Sequence, residues 1–387
     1  MTGVGRMTTV TFMMAKDIEN DHGGDVALAR VIFDIAADSF DLRAVCLSNH
    51  LTTGDAPRIS ADGRVIRVPK PPVRLPALVG NSVRTRRSVC HTRFDTDDLV
   101  RTLDELDSDV FLAEHSYMAE SYLRSTQVDR SELVINTVNS ESLVWRLTRG
   151  LPGTFEAPRI LADELRVSRR ASAIGTYDLE EAQFYRDRGC STARWIDLTL
   201  PPGERAGGDA EIPRLVFMGT RDWPPNQEGF LEILRLWPRI SDGIPDAELC
   251  IIGAPKPGAT PPPLPAGVRD VGFVEDLDAF LGTCRALVAP IRTGGGVRVK
   301  LLDAASRGLP VVGTTAAIGS LEPVFGLTAY DDPDEFVERA RAFLLDAELA
   351  RKEGARIFDA NADRWERRIP HRAVETLLSR GPVPVDH

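Results

Sequence analysis

Residues 286–321 read ALVAPIRTGGGVRVKLLDAASRGLPVVGTTAAIGSL, and the fold follows from how this stretch divides. Ala286–Ile291 is an apolar run with the length of a buried strand. Three glycines follow, Gly294, Gly295 and Gly296, and from Val297 to Ala305 the apolar spacing is helical. Gly308 suits the left-handed C-terminal cap, Pro310 prevents continuation, and Leu309–Gly313 reads as the next buried strand. A glycine loop between strand and helix brings bare N–H groups and the positive end of the helix dipole to one place, which makes an anion site. Arg298 and Lys300 add two positive charges there, and Asp303 projects from the same side one turn further in. Phosphate at the loop and a hydroxyl-rich group near Asp303 is the chemistry this suits. The loop is no Walker motif, because Leu301 follows Lys300, and it is not G-x-G-x-x-G. Glycine between strand and helix is common in parallel α/β proteins, so the loop alone leaves phosphate binding open.

The chain of 387 residues is long enough for two domains. Its formal charge of −10 argues against nucleic acid as a partner. No run of 18 apolar residues predicts a membrane span, and the N-terminal residues lack a signal-peptide core, so a cytoplasmic location is expected. Cys46, Cys90, Cys190, Cys250 and Cys284 are scattered singly, the pattern of buried thiols rather than of a disulfide frame or zinc site. Only five lysines occur, at 16, 70, 256, 300 and 352, and one falls in the stretch quoted above.

Apolar runs predict strands at Thr8–Met14, Leu42–Leu47, Arg64–Val68, Val110–Ala113, Leu133–Val138, Ala173–Thr176 and Arg194–Leu198, with helical patterns between most of them. Gly23 and Gly24 stand between the first strand and its helix, where they let a ligand approach the backbone. Periodicity breaks from Leu200 to Pro213, the expected linker. A second α/β run follows, with a strand at Arg214–Gly219, a helix at Asn226–Trp237 and a strand at Glu248–Gly253. The expected organisation is a first Rossmann-like domain over 1–199, a linker over 200–213, a second Rossmann-like domain over 214–362, and a last helix in 363–387 packing back on the first domain. Two facing α/β domains of parallel sheet place a cleft at the carboxyl ends of their strands.

Val216-Phe217-Met218-Gly219-Thr220-Arg221-Asp222-Trp223-Pro224-Pro225-Asn226, Ile251-Ile252-Gly253, Val271-Gly272-Phe273-Val274-Glu275-Asp276 and Gly294 to Asp303 occur in a familiar order and spacing. As a set they resemble the retaining nucleotide-sugar glycosyltransferases of the GT-B fold, the "glycosyl transferases group 1" or family four, in its glycine-rich subgroup. The likeness covers nearly the whole second domain. In the first it rests on His22-Gly23-Gly24 and on Asn136 to Ser142, which is similar to a His-Asn-x-Glu stretch of the subgroup.

The resemblance implies that Gly294, Gly295 and Gly296 hold the diphosphate of a nucleoside-diphosphate-sugar donor, with Arg298 and Lys300 neutralising it as the sugar departs. It implies that Asp303 meets the ribose hydroxyls, that Phe273 and Val274 lie against the base, and that Gly23 and Gly24 bring backbone to the donor phosphates. For Trp223 and Asn226 packing or helix capping stands beside a motif role. No tightly bound cofactor or metal is implied, and the acceptor is undefined. The first of two family glutamates separated by seven intervening residues aligns with Gly295, and the second is Asp303, one methylene shorter. The family's first-domain histidine is Val138. His115, at the end of a predicted strand, is a candidate for touching substrate or a polar loop residue; Glu141 is a second candidate or a helix-start carboxylate. A GT-B nucleotide-sugar epimerase and a non-catalytic nucleotide-sugar-binding scaffold are the alternatives. Arg74, Arg84, Arg86, Arg87 and Arg93, in a partly apolar stretch, define a candidate surface for peripheral contact with an anionic inner membrane leaflet.

Overall fold

The computed structural model describes residues 6–52, 54–205, 212–256, 258–293 and 298–379. The chain divides into two compact units, Met1–Leu198 with Pro370–His387, and Thr199–Ile369.

Near-continuous apolar runs, buried on both faces, become parallel strands. The first unit carries β1 (Thr9–Met14), β2 (Asp41–Ser48), β3 (Arg58–Ile59), β4 (Val65–Pro69), β5 (Val110–Glu114), β6 (Glu132–Thr137), β7 (Ala173–Thr176) and β8 (Ala193–Trp195) in the order β3-β4-β2-β1-β5-β6-β7-β8. Every pairing is parallel except β3 with β4. The chain leaves β1 toward one side of the sheet and later resumes on the other with β5, so the order reverses between these two strands. Met13, Phe111, Ala113, Ile135 and Tyr122 are among the buried side chains of the core. The last predicted strand, Arg194–Leu198, is shorter and earlier, over Ala193–Trp195.

The second unit repeats the plan with β9 (Arg214–Met218), β10 (Glu248–Ile252), β11 (Val268–Gly272), β12 (Ala286–Ala289) and β13 (Val311–Gly313), all parallel in the order β11-β10-β9-β12-β13. Here the order reverses between β9 and β12. Trp237, fully buried, donates from its indole nitrogen to the Ala266 carbonyl at 2.8 Å and anchors this core. The stretch that opened the sequence reading forms β12, the helix Val299–Arg307 and β13, and Gly308 closes the helix at φ 70°. That C-terminal cap lies against the helix Ala347–Glu366: a β-carbon on Gly354 would stand 2.0 Å from the Gly308 carbonyl oxygen. The expected boundary at 363 falls inside this same helix, which Asn361 ties to the second unit by donating to the Leu200 carbonyl at 2.8 Å. The chain turns at Arg368 (φ 55°), and the helix Ile369–Leu378 buries Val374, Leu377 and Leu378 in the first unit.

Candidate functional site

In open parallel sheets a crevice forms beyond the carboxyl ends of the two strands where the order reverses, because the connections there leave toward opposite sides. Each unit has a cavity at that place.

In the second unit, the cavity of about 80 Å³ lies past β9 and β12 and is lined by Trp223, Asn226, Thr293, Arg298 and Lys300 among others. Arg298 occupies the N-cap position of the helix Val299–Arg307, and Lys300 lies in its first turn. The Lys300 ammonium donates to the Asn226 side-chain oxygen at 2.7 Å and sits 5.6 Å from the centre of the Phe217 ring. Burial pushes it down to about 8. Asn226 in turn donates to the Thr220 carbonyl at 3.0 Å. This side chain can lie so close to β9 only because residue 219 is glycine: at φ 151°, a β-carbon there would be 2.6 Å from the carboxamide. Asn226 therefore holds Lys300 in place and does not cap its own helix; Trp223, at the N-cap of Pro224–Ser241, makes no side-chain capping bond either.

Asp303 lies one turn along the helix from Lys300, and its Oδ1 accepts from Arg307 at 2.9 Å. Burial holds its carboxyl above the usual range, with Arg307 working in the opposite direction. Phe273 follows the end of β11 and is 78% exposed, with Val274 partly exposed beside it. Neither Asp303 nor Phe273 lines the cavity. Gly294, Gly295 and Gly296 lie outside the described residues.

The corresponding cavity of the first unit, past β1 and β5, is larger than this one, about 210 Å³. His115 lines it from the end of β5 with φ 69° and ψ 144°, a backbone region that side chains other than glycine rarely enter. Its ring stacks on Tyr117 with centroids 4.9 Å apart, and Tyr117 stacks on Phe94 at 4.3 Å. Nδ1 of His115 is 3.5 Å from Oε1 of Glu141, which opens the helix Glu141–Thr148. Burial lowers the imidazole well below its ordinary value and, with the charge of Glu164, raises the Glu141 carboxyl. The structure thus brings together the two first-domain candidates. Gly23 and Gly24 stand at the start of the helix Gly24–Ala36, next to Asp25, whose carboxylate pairs with Lys16 at 2.6 Å.

Sequence reasoning missed Lys16, Asp25, Lys70, Arg93 and Glu114 on this cavity wall. Lysine scarcity was the available signal: three of the five lysines line the two cavities. Burial pushes the Glu114 carboxyl up to about 8, against the opposing hydrogen bond that Asn136 donates at 3.0 Å. The folded state then keeps a proton that the unfolded chain releases above its ordinary value of 4.5. This contribution to stability is complete below that value and is lost as pH rises through about 8, at no more than about 1.4 kcal/mol per pH unit. Thermal melts between pH 6 and pH 9 should fall with rising pH, and Glu114→Gln should flatten that slope. An unchanged slope in the variant would mean that Glu114 is ionised in the folded protein.

Residues 212–346 match the family model described as Glycosyl transferases group 1. The fold is similar to sucrose-phosphate synthase from Thermosynechococcus elongatus, with a TM-score of 0.72 at 15% identity over 94% of this chain and 97% of that one. It is also similar to Anabaena HepE in complex with UDP and glucose, with 0.64 at 13% over 95% and 98%. WaaG, a glycosyltransferase involved in lipopolysaccharide biosynthesis, gives 0.62 at 15% over 96% and 100%. These neighbours are GT-B glycosyltransferases, and the two units have the Rossmann-like α/β plan of that fold. A comparison with curated protein sequences found no match.

Proposed function

We propose that this chain, whose residues 212–346 match the group 1 glycosyltransferase model, moves a sugar from a nucleoside-diphosphate-sugar to an acceptor hydroxyl with retention of configuration. The observation that carries the reading is the pair of cations, Arg298 and Lys300, at a helix start beside the cavity where the second sheet reverses its order. The helix dipole and the two side chains meet the charge that grows on a departing diphosphate, so their contribution is larger in the transition state than before it. Asn226 fixes the ammonium, which spares part of the cost of orienting it during the reaction. Asp303 is assigned to the ribose hydroxyls and Phe273 with Val274 to the base. Gly23, Gly24 and the Gly294, Gly295 and Gly296 loop are assigned to the phosphates. A uridine nucleotide is the first donor to try, because the HepE structure holds UDP. Retention fits a same-face route in which the leaving phosphate oxygen takes the acceptor proton. His115 and Glu141 then orient the acceptor in the first unit.

The reading is tested by screening nucleoside diphosphates for thermal stabilisation, then analysing products with donor alone and with candidate acceptors. A nucleotide at 100 times its Kd adds roughly 2.7 kcal/mol. Transfer only in the presence of an acceptor, giving the same anomer as the donor, is the expected result; donor epimerisation without acceptor, or binding without turnover, would replace it.

We also propose a cytoplasmic enzyme held peripherally on an anionic leaflet by the first unit. No described helix is long and apolar enough to cross a membrane. The arginine face is smaller than the sequence implied. Arg87 turns inward to Asp95 at 3.2 Å and Glu120 at 2.6 Å, and Arg93 lines the cavity. Arg74, Arg84 and Arg86 remain exposed on or beside the helix Leu75–Thr85, whose Leu75, Val79 and Val83 are also exposed and recur every four residues as one stripe. Each arginine near the surface contributes about 1 kcal/mol. Arg84→Ser with Arg86→Ser should reduce cosedimentation with anionic vesicles by about tenfold or more. Equal recovery of both proteins would remove the membrane from the account.

A further inference from the structure

The cavity of the first unit has a charge imbalance. Lys16, Lys70 and Arg93 face it, with Asp25 and Glu114 as its carboxyls. Asp25 is taken by Lys16 at 2.6 Å, and Glu114 accepts at Oε1 from Asn136 at 3.0 Å. Lys70 donates to the Ala15 carbonyl at 2.8 Å, and Arg93 lies with its guanidinium 5.1 Å from the centre of the Phe94 ring. Among the described residues neither makes an ion pair, and Nε of Arg93 is buried with no hydrogen-bond acceptor. Burial and repulsion from Arg93 and Lys16 both lower Lys70. Lys70 and Arg93 are thus half-buried like charges; Asp21 and Asp25 act on Lys70 from a distance without pairing with it, and a chain with a formal charge of −10 has carboxylates to spare elsewhere.

We propose that Lys70 and Arg93 form the binding site for an anionic group, a phosphate monoester, carried by the acceptor. Its charge of about −2 matches the two cations that no protein carboxylate engages, and the fork of the guanidinium suits phosphate oxygens. His115 lines the same cavity, so an acceptor held by its phosphate presents its hydroxyl beside that imidazole. Naming the ligand an acceptor rests on the glycosyl-transfer reading; the binding of the phosphate does not.

Inorganic phosphate and glycerol phosphate are the probes, titrated calorimetrically into the full chain with saturating UDP to fill the second unit. Saturable binding of both is expected. Arg93→Gln and Lys70→Gln should each weaken it at least tenfold, Arg93→Lys should restore most of it, and Lys300→Ala should leave it unchanged. Melting curves and UDP affinity check that the variants fold. Glycerol phosphate and vesicles containing phosphatidate then separate a soluble acceptor from a lipid headgroup, and tight binding of either supports the site. Equal phosphate affinity in wild type, Arg93→Gln and Lys70→Gln, or no binding at all, would overturn it. Failure of every nucleoside diphosphate to bind while the phosphate result holds would remove the proposed function and leave the anion site standing.

Discussion

Lys300→Ala should leave the chain folded, bind nucleoside diphosphate somewhat more weakly, and turn over about a hundredfold or more slowly, the loss of roughly 3 kcal/mol typical for one donor aimed at developing charge. Folding is spared because Lys300 is partly exposed on a cavity wall and its hydrogen bond to Asn226 links no core element. Turnover is not spared on the proposed mechanism, in which the ammonium faces a charge that is larger when the sugar–oxygen bond is breaking than in the bound donor. Asp303→Asn should show the opposite division, with binding weakened more than turnover, and some loss of helix stability because the pair with Arg307 goes too. Steady-state kinetics on both variants decide the matter. Near-normal turnover for Lys300→Ala would sink this helix start as the diphosphate site, and a non-catalytic binding protein would become the better account.

A second large effect is expected far from the chemistry. Gly354 lies inside the helix Ala347–Glu366, where alanine ordinarily gains about 1 kcal/mol over glycine. Here the sign should reverse. The added carbon would lie 2.0 Å from the Gly308 carbonyl oxygen, and as both partners are backbone neither can rotate away. Gly354→Ala should therefore destabilise the second unit by about 3 kcal/mol, the upper end of ordinary overpacking. Urea melts followed by far-UV circular dichroism, compared with wild type, provide the measurement. A midpoint equal to or above wild type would show that the two helices separate at little cost.

Much of the fold was legible because parallel strands buried on both faces are short unbroken apolar runs, as at Ala286–Ala289 and Val110–Glu114. Gly308 did what its place after a helical pattern implied. The first-unit cavity was not legible, because its walls come from the ends of separate strands. Lys16 follows β1, Lys70 follows β4 and Glu114 ends β5, so no local spacing connects them. Counting arginines along the chain failed at Arg87 and Arg93 for a related reason. Arg87 lies in the connection between the helices Leu75–Thr85 and Val89–Phe94 and reaches Glu120, 33 positions away, while Arg93 is carried by the second of these helices, so closeness in sequence does not put them on one surface. Asn226 was read as motif or cap, since its bond to Lys300 crosses 74 residues.

The backbone at His115 bears on how this protein would respond to breeding in the laboratory. A residue held at φ 69° and ψ 144° carries a conformational cost of about 1–3 kcal/mol that glycine would largely escape. The same position places an imidazole on the wall of the first-unit cavity. Selection for heat tolerance alone, with no assay for product, would weigh that relief against the loss of a ring stacked on Tyr117, and a lineage that took His115→Gly would have discarded an imidazole from the wall proposed to hold the acceptor.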